Sequence, residues 1–344
     1  MSSPGYFAVL ALAVGGGSAV LTGVLRRYAL AHSLIDVPNA RSSHQVPTPR
    51  GGGVAIVLGM LAALPVLFLG GALDASLLWA LAGAGGLVAA VGFFDDHGHV
   101  AARWRLLAHF AGAAWALAWL GGSPPLSVFG GTVATGWAGA VLAAVYLVWV
   151  LNLYNFMDGI DGIAGVEAIC VCVGGAALYA LSGQMVLAMV PLALAAAVTG
   201  FLCWNFPPAK IFMGDAGSGF LGIVLGVLSL HAGWISPELL WGWLILLGVF
   251  VVDATWTLLR RLVQGRRIYE AHRSHAYQHA ARRFGRHLPV TLFICATNLF
   301  WLLPLALAVG AGHVGGLPGI AIAYAPLFLL AVALRAGEEE GCAA

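Results

Sequence analysis

The sequence predicts an all-α polytopic membrane protein of about eleven transmembrane helices, and three observations carry that prediction. Of its 344 residues, 61% are hydrophobic and 9% charged, with a mean hydropathy of +0.93, whereas soluble domains carry about 25% charged residues. Apolar runs recur at 5–25, 52–71, 75–94, 104–121, 134–151, 163–182, 186–204, 217–233, 237–259, 290–311 and 316–335, and a bilayer crossing takes about 20 residues. All 16 Lys and Arg fall after the odd-numbered runs or at the end of the last one, a sorting that membrane insertion produces and solubility does not. A soluble enzyme, a disordered chain and an ordinary nucleic-acid binder are excluded. The N-terminus is expected outside and the C-terminus in the cytoplasm, with residues 1–336 as one integral-membrane domain and 337–344 as a short acidic cytoplasmic tail.

The first run has no basic residue before it and Arg26 and Arg27 after it, so it reads as a retained helix and not a cleaved signal. The eighth is the weakest, because glycine interrupts it. Glycine is common in membrane helices, so 47 glycines do not count against the reading. Four of the five cysteines, Cys170, Cys172, Cys203 and Cys295, sit in apolar runs without disulfide or metal spacing and read as small buried hydrophobes.

Polar chemistry collects on the cation-bearing side. The first such loop, R-S-S-H-Q-V-P-T-P-R-G-G-G from Arg41 to Gly53, has the composition of a rigid turn and offers His44 and Arg50 to an anion. At the end of the third run, Asp95 and Asp96 stand in G-F-F-D-D-H-G-H. Adjacent carboxylates repel unless a cation compensates, which suits metal binding or proton transfer, with a solvated helix cap as the alternative. The stretch N-L-Y-N-F-M-D-G-I-D-G-I-A-G, 152–165, sets Asn155, Asp158 and Asp161 three residues apart beside Gly159 and Gly162. Two carboxylates and an amide beside glycines match a site for a hard cation and a diphosphate or nucleoside.

The stretch W-N-F-P-P-A-K-I-F-M-G-D-A-G-S-G, 204–219, breaks a helix at Pro207 and Pro208, carries the single lysine Lys210, and holds Asp215 at the start of the next run. Backbone N–H groups there suit phosphate oxygens, and the Asp215 carboxylate suits Mg2+. In H-R-S-H-A-Y-Q-H, 272–279, His272, Arg273 and His275 lie near Glu270 within an arginine-dense loop. They read as diphosphate donors in preference to a zinc site or a polar surface helix. A secondary transporter is the alternative function, but it would place polar groups at the midplane, which is nearly charge-free here.

Together these loops resemble the polyprenyl-phosphate N-acetylhexosamine-1-phosphate transferase family. The matching pieces are V-P-T-P-R-G-G at 46–52, F-F-D-D at 93–96, N-F-M-D-G-I-D-G-I-A at 155–164, F-M-G-D-A-G-S at 212–218 and H-R-S-H at 272–275, in the family's order. The resemblance implies a multi-pass enzyme of the bacterial inner membrane with a periplasmic N-terminus and an active site built from cytoplasmic loops. It would move a sugar 1-phosphate from a UDP-sugar to undecaprenyl phosphate and release UMP, with Mg2+ or a substituting Mn2+.

Carried onto this chain, the resemblance makes Asp95, Asp96, Asp158 and Asp215 catalytic and gives Asp215, Asn155 and Asp95 to the metal. It gives His44, Arg50, Asn155, Asp161, Lys210, Phe212, His272, Arg273 and His275 to substrate. The partners implied are the UDP-N-acetylhexosamine donor, the lipid acceptor and the bilayer, with no nucleic acid; a homodimer is compatible. The histidine motif departs from the three consecutive histidines of the peptidoglycan branch. It is most similar to the O-antigen-initiating branch, whose donors carry N-acetylglucosamine or N-acetylated 6-deoxyhexoses such as N-acetylfucosamine and N-acetylquinovosamine. A phosphate nucleophile is already ionised at neutral pH, so Asp95 and Asp96 are expected to position groups first and to act as a base second. Direct displacement is favoured over an aspartyl intermediate.

Overall fold

The computed structural model describes residues 4–38, 43–98, 100–128, 131–266 and 272–338. Arg41, Glu270 and the end of the acidic tail lie outside the described residues. The helices are α1 (Pro4–Ala31), α2 (Val54–Leu69), α3 (Ala75–His97), α4 (Ala102–Leu120), α5 (Gly136–Met157), α6 (Ile163–Leu181) and α7 (Met189–Asn205). They continue as α8 (Asp215–Ile235), α9 (Pro237–Leu246), α10 (Gly248–Val263), α11 (Ala276–Phe284), α12 (Leu288–Thr297), α13 (Leu303–Gly310) and α14 (Gly316–Ala333), with a π-helical turn, Asn298–Leu302, between α12 and α13. Two small antiparallel pairs, β1 (Ile35–Asp36) with β2 (Thr48–Pro49) and β3 (Leu126–Val128) with β4 (Gly131–Val133), close two of the loops.

Every one of the eleven apolar runs contains helix, but the expected count of about eleven crossings does not stand. Among the described residues, seven helices are long and apolar enough to cross a membrane, or eight if the bent pair α9–α10 is one span. Helix α2 has 16 residues and α7 has 17, short of the roughly 20 that a crossing needs. Helix α4 opens on Arg103 and Arg105 and holds His109. Helices α9 and α10 meet at 68°. Running hydropathy registers apolar composition but not where the chain bends or stops. The outward N-terminus and cytoplasmic C-terminus rest on cations sorted between alternate crossings, and they lose that support with the count.

The run that reads as weakest becomes α8, a continuous 21-residue helix and the most enclosed of the seven. Its glycines lower hydropathy while permitting close approach. A Cβ on Gly222 would stand 2.6 Å from Leu151 Cα on α5, and one on Gly92 of α3 would stand 2.6 Å from the Asp215–Ala216 peptide. Phe220, Leu221 and Leu225 are fully buried between these neighbours, while Leu12, Phe300 and Leu329 on outer helices point away from the bundle, as a lipid-facing surface allows.

Backbone pairing positions the loops. Phe212 N–H donates to Pro49 O at 2.8 Å, and the N–H groups of Gly52 and Gly53 donate to Phe212 O and Met213 O at 2.9 and 2.8 Å. The loop before α2 is thereby fixed to the loop before α8. Asn205, where α7 ends ahead of Pro207 and Pro208, accepts from Gly162 N–H at 3.0 Å and donates to Ile211 O at 2.9 Å. That side chain ties the turn between α5 and α6 to the same assembly.

Candidate active site

These ties enclose a cavity of about 270 Å³ whose wall includes His44, Arg50, Asp96, Asn155, Asp158, Asp161, Phe212 and Asp215. Eight of the residues picked out by sequence therefore converge from four loops.

Asp96 and Asp95 end α3 on opposite duties. The Asp96 carboxylate accepts from the N–H groups of Asp215 and Ala216 at 3.1 and 3.2 Å, capping α8. The N–H groups expected to meet a phosphate are thus given to a side chain. Gly214, at φ +80°, makes room: a Cβ there would stand 2.6 Å from Asp96 Oδ2. Arg50 donates to the Asp96 backbone carbonyl. Asp95 turns aside, accepting from Val100 N–H at 2.8 Å and pairing with Arg105 Nη1, which also lies 3.4 Å from Asp215 Oδ2.

The turn after α5 supplies Asp158 and Asp161, which differ sharply. Burial, and then the negative charges of Asp215, Asp96 and Asp161, push the Asp158 carboxyl up to about 7. Burial also acts to raise Asp161, but the His287 ring and the Ala209 N–H prevail and hold its carboxyl below the usual range. His287 Nδ1 lies 3.1 Å from Asp161 Oδ1, and Ala209 N–H donates to Oδ2 at 3.0 Å. Burial disfavours the charged imidazole of His287, yet Asp161 outweighs it and raises the ring's pKa. Its Nε2 donates to Ser43 O at 3.1 Å. His44 packs edge-on against Phe212 at 4.8 Å, and its buried Nε2 has no partner among the described residues.

The remaining sequence candidates lie off the cavity wall. Lys210 Nζ sits 5.8 Å from the Trp204 ring centroid. His275 caps α11, with Nδ1 3.3 Å from Asp253 Oδ1, and His272 stacks on it at 4.9 Å. Burial, then the charges of His275 and Arg261, hold the His272 pKa down to about 3. Arg273 accepts from Arg282 Nη1 through its backbone carbonyl at 3.1 Å. Of this segment, Gln278 reaches the cavity. Sequence reasoning missed His287, Asn205, Gln278 and the bridging role of Arg105. Arg105 alone carried a signal, as a cation ten residues beyond the aspartate pair.

The donor chemistry, carboxylates with an amide, suits a hard divalent cation. Among the described residues no three His, Cys, Asp or Glu side chains are grouped to hold one. Arg105 fills the place between Asp95 and Asp215.

A carboxylate-rich pocket between the loops of an apolar helical bundle defines a membrane enzyme working at a polar rim, and comparison with known proteins makes the class definite. The profile of glycosyl transferase family 4 matches residues 78–233, the stretch that contains all the site carboxylates described above. The chain is 31% identical to the decaprenyl-phosphate N-acetylglucosaminephosphotransferase of Mycolicibacterium smegmatis, over 92% of this chain and 86% of that protein. It is 31% identical to the probable undecaprenyl-phosphate N-acetylglucosaminyl 1-phosphate transferase of Bacillus subtilis, over 77% and 74%. It is 33% identical to the phospho-N-acetylmuramoyl-pentapeptide-transferase of Kocuria rhizophila, over 74% and 81%. The chain belongs to glycosyl transferase family 4, among the polyprenyl-phosphate sugar-1-phosphate transferases, and is a multi-pass membrane protein in keeping with the family's place in the bacterial inner membrane.

Proposed function

We propose that the protein transfers an N-acetylhexosamine 1-phosphate from a UDP-sugar to undecaprenyl phosphate, releasing UMP, as the first membrane step of O-antigen or a related cell-envelope polysaccharide. The observation that carries this reading is the convergence of Asp96, Asp158, Asp161 and Asp215 with Asn155 and Arg50 on one cavity. The donor is drawn from UDP-linked N-acetylglucosamine, N-acetylfucosamine and N-acetylquinovosamine; the names of the first two relatives favour N-acetylglucosamine.

Asp215 and Asn155 on the cavity wall would hold Mg2+, joined by Asp95 once Arg105 released it, and the ion would neutralise charge on the diphosphate. The chain's own residues do the rest. Arg50 and His44 face the donor's anionic oxygens. Asp161, fixed by His287 and Ala209 N–H, presents an ionised acceptor to the nucleoside, with the Phe212 ring beside it. Asp96 orients Asp215 by capping α8. The histidine motif holds α11, so that Gln278 meets the cavity.

The acceptor's hydrocarbon chain is assigned to an apolar groove of about 390 Å³ lined by Val252, Tyr277, Phe293 and Leu327, which would leave its phosphate beside the acidic turn. The test is purified protein with undecaprenyl phosphate, Mg2+ and a panel of UDP-sugars, scored by UMP release. Acceptor-dependent UMP release is expected with at least one UDP-N-acetylhexosamine; none with any of them would overturn the reading.

A further inference from the structure

The acidic turn rests on a residue outside the cavity. Phe156 belongs to the last turn of α5, where backbone carbonyls lack intrahelical partners. Tyr277 Oη donates to that carbonyl at 3.0 Å. At its other end the same residue is fixed to α10, because Asp253 Oδ2 accepts its N–H at 3.0 Å while Oδ1 accepts from Ala276 N–H at 2.9 Å. The ring is buried, stacks on His275 at 5.7 Å, and forms part of the apolar groove. Gly159, next to Asp158, fits closely over the hydroxyl: a Cβ there would stand 2.1 Å from Oη and 3.1 Å from Cζ. One tyrosine therefore walls the groove with its ring and supports the Asp158 turn with its hydroxyl.

We propose that Tyr277 is a positioning residue for the transfer reaction, setting the height of the Asp158 turn relative to the groove; this rests on the transferase reading above. It acts through the backbone of Phe156 and Gly159, and its phenol is not consumed.

The experiment compares the full-length wild type, Tyr277→Phe, Gly159→Ala and the double variant. It measures kcat and donor KM from Mg2+-dependent UMP release with undecaprenyl phosphate and UDP-N-acetylglucosamine, alongside thermal unfolding. Because misplacing a reacting group by about 1 Å costs about 100-fold, Tyr277→Phe should lower kcat by about 10- to 100-fold, with donor KM within about threefold and the unfolding midpoint nearly unmoved. Gly159→Ala, which drives a methyl group into the hydroxyl, should lose more. Removing that hydroxyl should restore part of the loss, so the double variant should exceed Gly159→Ala alone. Wild-type kcat in Tyr277→Phe, or a double variant no better than Gly159→Ala, would overturn the assignment. A wild type that releases no UMP with any UDP-sugar would instead overturn the transferase reading.

Discussion

Two aspartates in this protein do the same structural task in opposite surroundings. Asp96, at the end of α3, accepts the first N–H groups of α8; Asp253, in α10, accepts the first N–H groups of α11. Around Asp253 the charge is answered locally, by His275 at 3.3 Å and the Thr257 hydroxyl at 3.1 Å. Around Asp96 the answer is thinner: Arg50 reaches its main-chain carbonyl and not its carboxylate, Asp158 and Asp215 share its cavity, and the charges of Asp215, Asp96 and Asp161 together help raise Asp158. A compensated cap is a fastening. An under-compensated one beside a cavity leaves negative charge for a cation or a substrate's cationic partner to satisfy, which separates machinery from scaffold more sharply than burial does.

The largest expected effect breaks the under-compensated side. Asp215→Asn keeps the size of the side chain but removes a charge, so UMP release should fall by orders of magnitude in folded, membrane-inserted protein. Near-normal turnover at ordinary Mg2+ would remove Asp215 from the metal's ligands.

The next test sets the two caps against each other. Asp96→Asn keeps a carbonyl acceptor for α8, so it should cost at most about 1 kcal/mol of stability while cutting turnover strongly. Asp253→Ala strands two N–H groups and His275, and should cost about 3 kcal/mol in thermal unfolding. If the two variants exchanged these phenotypes, the distinction between fastening and machinery would be wrong.

A smaller effect comes from pH. The His287 pKa is raised above its ordinary 6.5 in the fold, so its stabilisation is complete below 6.5 and lost as pH rises through the higher folded value. The Asp161 pKa is lowered below its ordinary 3.8, so its contribution is complete above 3.8 and lost as pH falls through the lower folded value. The pair contributes fully between those two ordinary values, on the order of 1 kcal/mol. His287→Gln should therefore lower the unfolding midpoint most near pH 5 and least at pH 9; a deficit that grows with pH would contradict the pairing.

The smallest effect belongs to Lys210. With its ammonium over Trp204 and away from the cavity, Lys210→Gln should leave donor KM essentially unchanged. A large rise in KM in the same UMP assay would bring that lysine into the site.

Much of the candidate site was legible in the sequence because acids are scarce in an apolar chain and sit beside glycines, as Asp158 and Asp215 do. Helices were legible for the same compositional reason; crossings were not, since α7 differs from a spanning helix by a few residues and the α9–α10 bend leaves no hydropathy mark. Partnerships across long separations were hidden altogether. Asp161 meets His287 across 126 positions of chain, and no local spacing announces it. The doubt over α8 had another origin. Hydropathy scores glycine by its own transfer energy and not by the neighbour it admits, so the most enclosed span looked the least convincing.

The pairing of residues 49–53 with 212–213 is made of main-chain bonds, and it closes because residues 51–53 are glycines: Gly51 sits at φ +94°, and a Cβ on Gly52 or Gly53 would stand 2.9 Å from the Phe201 ring or 2.5 Å from Gly217 Cα. A side chain on Gly52 or Gly53 would wedge the seam apart, while substitutions at Arg50 or Phe212 can retune what the cavity recognises without loosening it. Insertions cannot: one added residue on either side would shift the register, orphan peptide groups beside an apolar bundle, and swing Phe212 off the cavity wall. This seam is accordingly tolerant of changed letters at Arg50 and Phe212 and intolerant both of side chains at its glycines and of changed length, a pattern of freedom that lets specificity shift while these loops keep their size.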